Sequence, residues 1–191
     1  MKSGLLGVPV LALFAWAAAA PAASRAAEVR PVLVAGYDTG GDEIQGVTFT
    51  SGKNDSIRAN EGFYLGGGVS VLNDAGNIEF QGTLSVKYQG INADNGHITW
   101  IRYPLDALIF YRAERFRVGG GMTYVMHPQL EGSGVASSIN TTPDNTIGLL
   151  LQADYMLGKV GIGLRFTGLD YKMNGSTLKA SGAGLSFSVA F

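Results

Sequence analysis

Eight charged residues stand where charge is hardest to accommodate. Asp38, Glu79, Lys87, Arg102, Asp106, Arg117, Asp154 and Arg165 each lie in a run of alternating residue types, on the side opposite the bulky apolar ones. Four are acidic and four are basic. A buried ionised group is tolerated only when it is paired and hydrogen-bonded. The balanced signs, spread over several runs, therefore point first to a structural ion-pair network. A polar site or a proton path is the second reading of the same residues.

Other chemistry has fewer candidates. General acid–base catalysis would fall to His97 or His127, the only two histidines, and both sit at borders between runs and loops. The segments 38–43 and 92–96 offer Asp, Glu and Asn oxygens to a cation, without the twelve-residue spacing of a calcium loop. Asp, Asn and Gly are also ordinary turn residues, so no metal and no cofactor is expected. There is no cysteine, hence no disulfide, thiol chemistry or lipid-anchor cysteine. Nothing matches a phosphate-binding loop or a dinucleotide fingerprint.

The elements that would carry the charges are strands. Glycine, at 28 of 191 residues, is about twice its usual share and disfavours helices. Turn signals divide the chain into eight alternating runs, at 31–40, 61–73, 77–89, 97–112, 115–127, 145–157, 159–172 and 178–191. The run at 77–89 is the cleanest. Ile78, Phe80, Gly82, Leu84, Val86 and Tyr88 share one face; Glu79, Gln81, Thr83, Ser85, Lys87 and Gln89 share the other. A soluble sheet alternates as well. Here the face opposite the apolar one repeatedly carries glycine and isolated charge, as a narrow polar lumen requires. The echo of Gly66-Gly67-Gly68 in Gly119-Gly120-Gly121 would leave room there for Trp100 and Phe110.

Connections alternate between long ones (41–60, 90–96, 128–144, and a shorter 173–177) and tight ones (73–77, 112–115, 157–159). Aromatics cluster near both ends of the runs: Phe80, Tyr111, Phe116, Tyr155 and Phe191 toward the tight turns, and Tyr37, Phe63, Tyr88, Tyr103 and Tyr124 toward the long loops. Strands crossing a bilayer show this phasing and these two belts. Pro104 interrupts a run, which marks a local bend or a lateral opening between strands.

The chain ends bear on export. Lys2 precedes an apolar stretch, 5–20, followed by small-residue cleavage options at 18–26, the pattern of a secretory signal peptide. The expected division is a signal peptide over 1–26 and one barrel domain over 27–191. Taking Lys2 and Arg25 from the 14 basic residues leaves 12 against 15 acidic ones, which argues against a nucleic-acid partner. At the other end Leu185, Phe187, Val189 and Phe191 share one face of a final strand. An unprotected aromatic edge strand is a liability; closing a barrel removes the edge.

Signal peptide, eight runs and terminal Phe191 together resemble the small outer-membrane β-barrel proteins of Gram-negative bacteria. Stretches such as Gly62-Phe63-Tyr64-Leu65-Gly66-Gly67-Gly68 and Leu151-Gln152-Ala153-Asp154-Tyr155 resemble a poorly characterised family of these barrels. The resemblance implies an all-β, eight-stranded antiparallel up-and-down transmembrane barrel in the outer membrane. Its partners would be outer-membrane lipid and, during assembly, the barrel-insertion machinery reading Leu185, Phe187, Val189 and Phe191. Outer-membrane lipid A deacylases are similar in size, but their His and Ser lie one residue apart. Here His127 precedes Pro128 and Gln129, and His97 precedes Ile98 and Thr99. The first functional expectation is a structural or surface-interaction barrel with a side-chain-filled lumen. The second is passage or binding of a small apolar molecule through a lateral opening. A lipid-modifying enzyme ranks third.

Overall fold

The tight turns are fixed by their own side chains. Asn73 Oδ1 accepts from the Asn77 N–H at 3.0 Å and the Ile78 N–H at 2.9 Å. Gly76 and Gly158 take φ of 73° and 64°, the left-handed region that glycine enters without steric cost. These reversals set the pairing of the strands on either side.

The computed structural model describes residues 27–48, 54–93, 95–173 and 175–191. The expected signal peptide over 1–26 lies outside the described residues. In chain order the strands are β1 (Glu28–Gly40), β2 (Glu43–Thr48), β3 (Asn54–Arg58), β4 (Gly62–Leu72), β5 (Ile78–Ala93), β6 (Gly96–Arg112), β7 (Phe116–Gly134), β8 (Asn140–Thr141), β9 (Thr146–Leu157), β10 (Val160–Gly168), β11 (Asp170–Met173), β12 (Ser176–Lys179) and β13 (Gly182–Ala190). Eight of them, β1, β4, β5, β6, β7, β9, β10 and β13, form one antiparallel sheet in that order. It closes where β13 pairs with β1, from Val32 opposite Ala190 to Gly40 opposite Gly182. The all-β, eight-stranded up-and-down barrel expected from the sequence is the fold observed.

Facing follows the alternation. Leu151 is 63% exposed and its neighbour Gln152 is 6% exposed. Leu65, Leu84, Leu164 and Leu185 are exposed on the same outer wall, while Glu79, Asp106 and Asp154 are buried inside. The belts stand at the two rims: Phe80, Tyr111, Phe116 and Phe191 are exposed near the tight turns, and Phe63, Tyr88 and Tyr103 near the other end. A soluble barrel would put these apolar side chains inside.

Several boundaries differ from the sequence expectation. Most of the expected long connection 90–96 is strand, because β5 and β6 stay paired out to Ala93 opposite Gly96. The expected loop 128–144 contains the end of β7, which pairs with β6 as far as Gly134, and the short β8. Loop 41–60 holds the β2–β3 hairpin. β11 and β12 pair with each other outside the barrel sheet, so the last two barrel strands are shorter than the expected runs. One physical cause accounts for these shifts. Ile57, Ile91, Ile98, Val125, Leu130 and Leu169 bury one another above the wall, so segments with loop-like composition gain a core of their own. This apolar cap packs over the mouth at the long-loop end.

Candidate functional site

The lumen holds the charges in two groups. In the group nearer the tight turns, Arg117 is central. Its Nε donates to Asp154 Oδ2 at 2.7 Å, and its Nη1 to Glu79 Oε1 at 2.7 Å and to Gln81 Oε1 at 3.1 Å. Its Nη2 donates to Ser188 Oγ at 2.8 Å. Arg112 Nη1 adds a second bond to Glu79, at 2.6 Å. Ser70 Oγ donates to Glu79 and Ser186 Oγ to Asp154. The Arg117 guanidinium also lies 4.3 Å from the centre of the Phe110 ring. Glu79, Arg117 and Asp154 are all buried, and every one has charged and neutral partners.

The second group lies nearer the capped mouth. Lys87 Nζ donates to Asp38 Oδ2 at 2.5 Å and to Asn60 Oδ1 at 2.9 Å. Arg165 Nη2 sits 2.9 Å from Asp106 Oδ2 and its guanidinium packs 5.0 Å from the Tyr64 ring. Arg102 differs. It donates to backbone carbonyls, Ala59 O at 2.5 Å and Glu61 O, and lies 5.0 Å from the Trp100 ring. Tyr171 of β11 reaches the same space from the cap, where burial raises its hydroxyl above the usual tyrosine range and the Arg102 guanidinium opposes that rise. Leu108, Phe110 and Leu150 pack as a small apolar cluster inside the barrel.

Room for these long side chains comes from glycine on facing strands. A Cβ on Gly119 would fall 2.7 Å from Phe110 Cδ1 and 2.2 Å from the Ile109 carbonyl oxygen. A Cβ on Gly184 would fall 2.1 Å from Asp38 Oδ1. Phe110 is thus accommodated as the glycine pattern implies. Trp100 is not a lumen residue of that kind. It sits in the cap, with Nε1 3.3 Å from the Ala59 carbonyl and its ring edge-on to Tyr171 at 5.8 Å.

Pro104 points into the lumen and is buried. Pairing of β5 with β6 skips from Leu84 opposite Leu105 to Lys87 opposite Arg102, so Ser85, Val86, Tyr103 and Pro104 leave the ladder. The missing proline N–H accounts for the gap. On the other side of β6 the register with β7 shifts between Ile101 and Tyr103, opposite His127 and Pro128. His127 takes φ of 45° there, and its N–H donates to Asn145 Oδ1 at 2.8 Å.

His97 faces Ser133 across β6 and β7, with Nδ1 2.7 Å from Ser133 Oγ. The His97 side chain is exposed, and no carboxylate bonds to it among the described residues.

Three participants escape the sequence reading. Arg112 has the composition of a turn around it, although it continues the inward parity of Arg102, Asp106 and Phe110, so the signal is present in the sequence. Asn60 lies in an expected loop and Tyr171 at the end of an expected run, and only the folded cap turns them inward.

No family model matches the chain, and no curated protein does. Solved structures do. The crystal structure of Ail, the attachment invasion locus protein of Yersinia pestis, in complex with the heparin analogue sucrose octasulfate, is similar with a TM-score of 0.53 at 9% identity. That likeness covers 85% of this chain and 96% of Ail. Neisserial surface protein A aligns at 13% identity and a TM-score of 0.48, over 85% of this chain and 96% of its own. At such identity the likeness to Ail shows the fold alone, that of a small closed β-barrel.

Proposed function

We propose that this barrel resides in the bacterial outer membrane and anchors its cap as a surface-interaction element, with the lumen acting as a structural plug. One observation carries the reading: ion pairs and buried polar side chains line the lumen from Glu79 to Asp38, and the apolar cap packs over one mouth. An eight-stranded barrel encloses only enough width for side chains to fill. The lipid-exposed wall and its two aromatic rims support the location. Leu185, Phe187, Val189 and Phe191 remain the proposed assembly segment, on a strand that seals the barrel against β1.

The plug predicts electrical silence. Purified protein in planar bilayers is expected to give no stable, large, weakly selective conductance. A steady porin-like current would overturn the reading and promote transport in its place.

Sidedness follows from the same proposal. Ser137 in the cap and Ala75 in a tight turn are both exposed. With cysteine at Ser137, intact cells should react with an impermeant thiol reagent. With cysteine at Ala75 they should react only after the outer membrane is permeabilised. Reversed labelling would invert the assignment of sides.

What the cap meets is constrained by its charge. Asp42, Glu43, Asp55, Glu131, Asp144 and Asp170 stand against Arg58, Lys172 and Lys179 in the described segments beyond the wall. This balance does not favour a polyanion such as the heparin analogue held by Ail. The gap beside Pro104 supports a second reading, binding of a small apolar molecule through the wall. The space behind that gap is lined by Lys87, Arg102 and Arg165, and it favours the first reading.

A further inference from the structure

Between the second charge group and the cap there is a cavity of about 10 Å³, the space of roughly one water molecule. Its charge does not balance. Lys87, Arg102 and Arg165 line it, against Asp38 on the wall and Asp106 behind Arg165. Lys87 is spent on Asp38 and Arg165 on Asp106. Arg102, 1% exposed, has no carboxylate partner among the described residues. Glu61 meets it through its backbone carbonyl, while the Glu61 carboxylate accepts from the Tyr37 hydroxyl at 2.6 Å. A buried cation without a counter-charge is costly.

The free hydrogen-bonding groups have the same bias. Arg102 Nε, Arg165 Nε, Asn60 Nδ2 and Thr123 Oγ1 belong to cavity-lining residues, and none has a hydrogen-bond partner among the described residues. On the lining, Asp38 Oδ1 is the one acceptor left in that condition; both Asp106 oxygens also lack a hydrogen bond, but Asp106 lies behind Arg165, 2.9 Å from its Nη2, and does not line the cavity. All five lining side chains are more than nine-tenths buried. A water molecule accepts about two hydrogen bonds and must donate two others, which leaves N–H groups unmatched here. An anion accepts from all of the donors and supplies the missing charge.

We propose that this cavity binds a single small monovalent anion, chloride in a chloride medium, held among Arg102, Arg165, Asn60 and Thr123. The inference concerns the lumen chemistry alone and does not rest on what the cap binds. The ion neutralises Arg102 and joins the cap segment carrying Ala59 and Asn60 to the barrel wall. It thereby couples closure of the mouth to the halide content of the medium.

The test uses the full mature barrel refolded in detergent. Crystals grown or soaked in bromide should show an anomalous peak in the cavity, within hydrogen-bonding reach of Arg102 Nε. In solution, at constant ionic strength, replacing methanesulfonate by chloride or bromide should stabilise the fold. Above the dissociation constant, the folded-to-unfolded ratio should rise about tenfold for each tenfold increase in halide. Arg102→Gln should abolish both signals. If that variant does not fold, the wild-type bromide experiment still decides. Density in the cavity without an anomalous signal, together with stability indifferent to halide, would identify ordered water and overturn the proposal. A porin-like current would overturn the plug and leave this result untouched.

Discussion

Arg117→Met is expected to destabilise the barrel by about 3–5 kcal/mol, the usual cost of removing one partner from a buried ion pair. Arg117 is 3% exposed and bridges strands that are not neighbours: Glu79 on β5, Asp154 on β9 and Ser188 on β13. Methionine fills a similar volume, so packing loss is small. What remains is Asp154, buried, with only Gln152 and Ser186 to bond, and Glu79 with Arg112 at 2.6 Å and Ser70. The cost should therefore arise chiefly at Asp154. Adding Asp154→Asn to Arg117→Met should recover much of it, because the uncompensated charge is gone. Urea unfolding in lipid vesicles, followed by heat-modifiable gel mobility, measures both variants. A cost below about 1 kcal/mol for the single variant would place it with solvent-exposed pairs and show that water reaches this group.

Leu151→Arg is expected to cost about 2–4 kcal/mol, the penalty for a cation on the lipid face at the bilayer midplane. Leu151 lies near the middle of β9 and is exposed on the wall. Leu157, at the end of the same strand, is 55% exposed on the same face. There the same substitution should cost about 0–1 kcal/mol, since the side chain reaches the headgroup region. In the cap, Val135 is 73% exposed, and Val135→Arg should stay within about 0.5 kcal/mol. Depth dependence is the decisive feature. Equal, small costs at Leu151 and Leu157 would mean that this apolar wall does not face lipid.

The two expectations draw on different levels of the molecule. That Leu151 faces out and Gln152 faces in is legible in the sequence, because successive strand side chains point to opposite faces. The inward placement of Arg117 follows from the same rule. Asp154 stands opposite Arg117 on the neighbouring strand β9, but the other charged partner of Arg117 does not follow from the alternation. Tight turns fix the register of adjacent strands, as Asn73 and Gly76 do for β4 and β5. Arg117 meets Glu79 from two strands away, and Lys87 meets Asp38 from two strands away. Those meetings depend on the stagger and width of the closed sheet, which no single strand encodes.

The cap marks the boundary most clearly. Segments 90–96 and 128–144 read as loops from their Asn, Asp, Ser and Gly, and turn composition is a local signal. Ile91 and Leu130 are isolated apolar residues in those segments, yet they meet Ile57, Ile98 and Leu169 to form a core. That burial extends β5, β6 and β7 past the wall and turns Asn60 and Tyr171 toward the lumen. The sequence by itself determined the eight-stranded barrel, its two faces and the residues that carry charge inside, because period-two alternation and turn chemistry are local. Only the tertiary structure decided which charges pair, that Arg102 is left without a carboxylate among the described residues, and that an apolar cap packs over the mouth, because those depend on contacts between segments far apart in the chain.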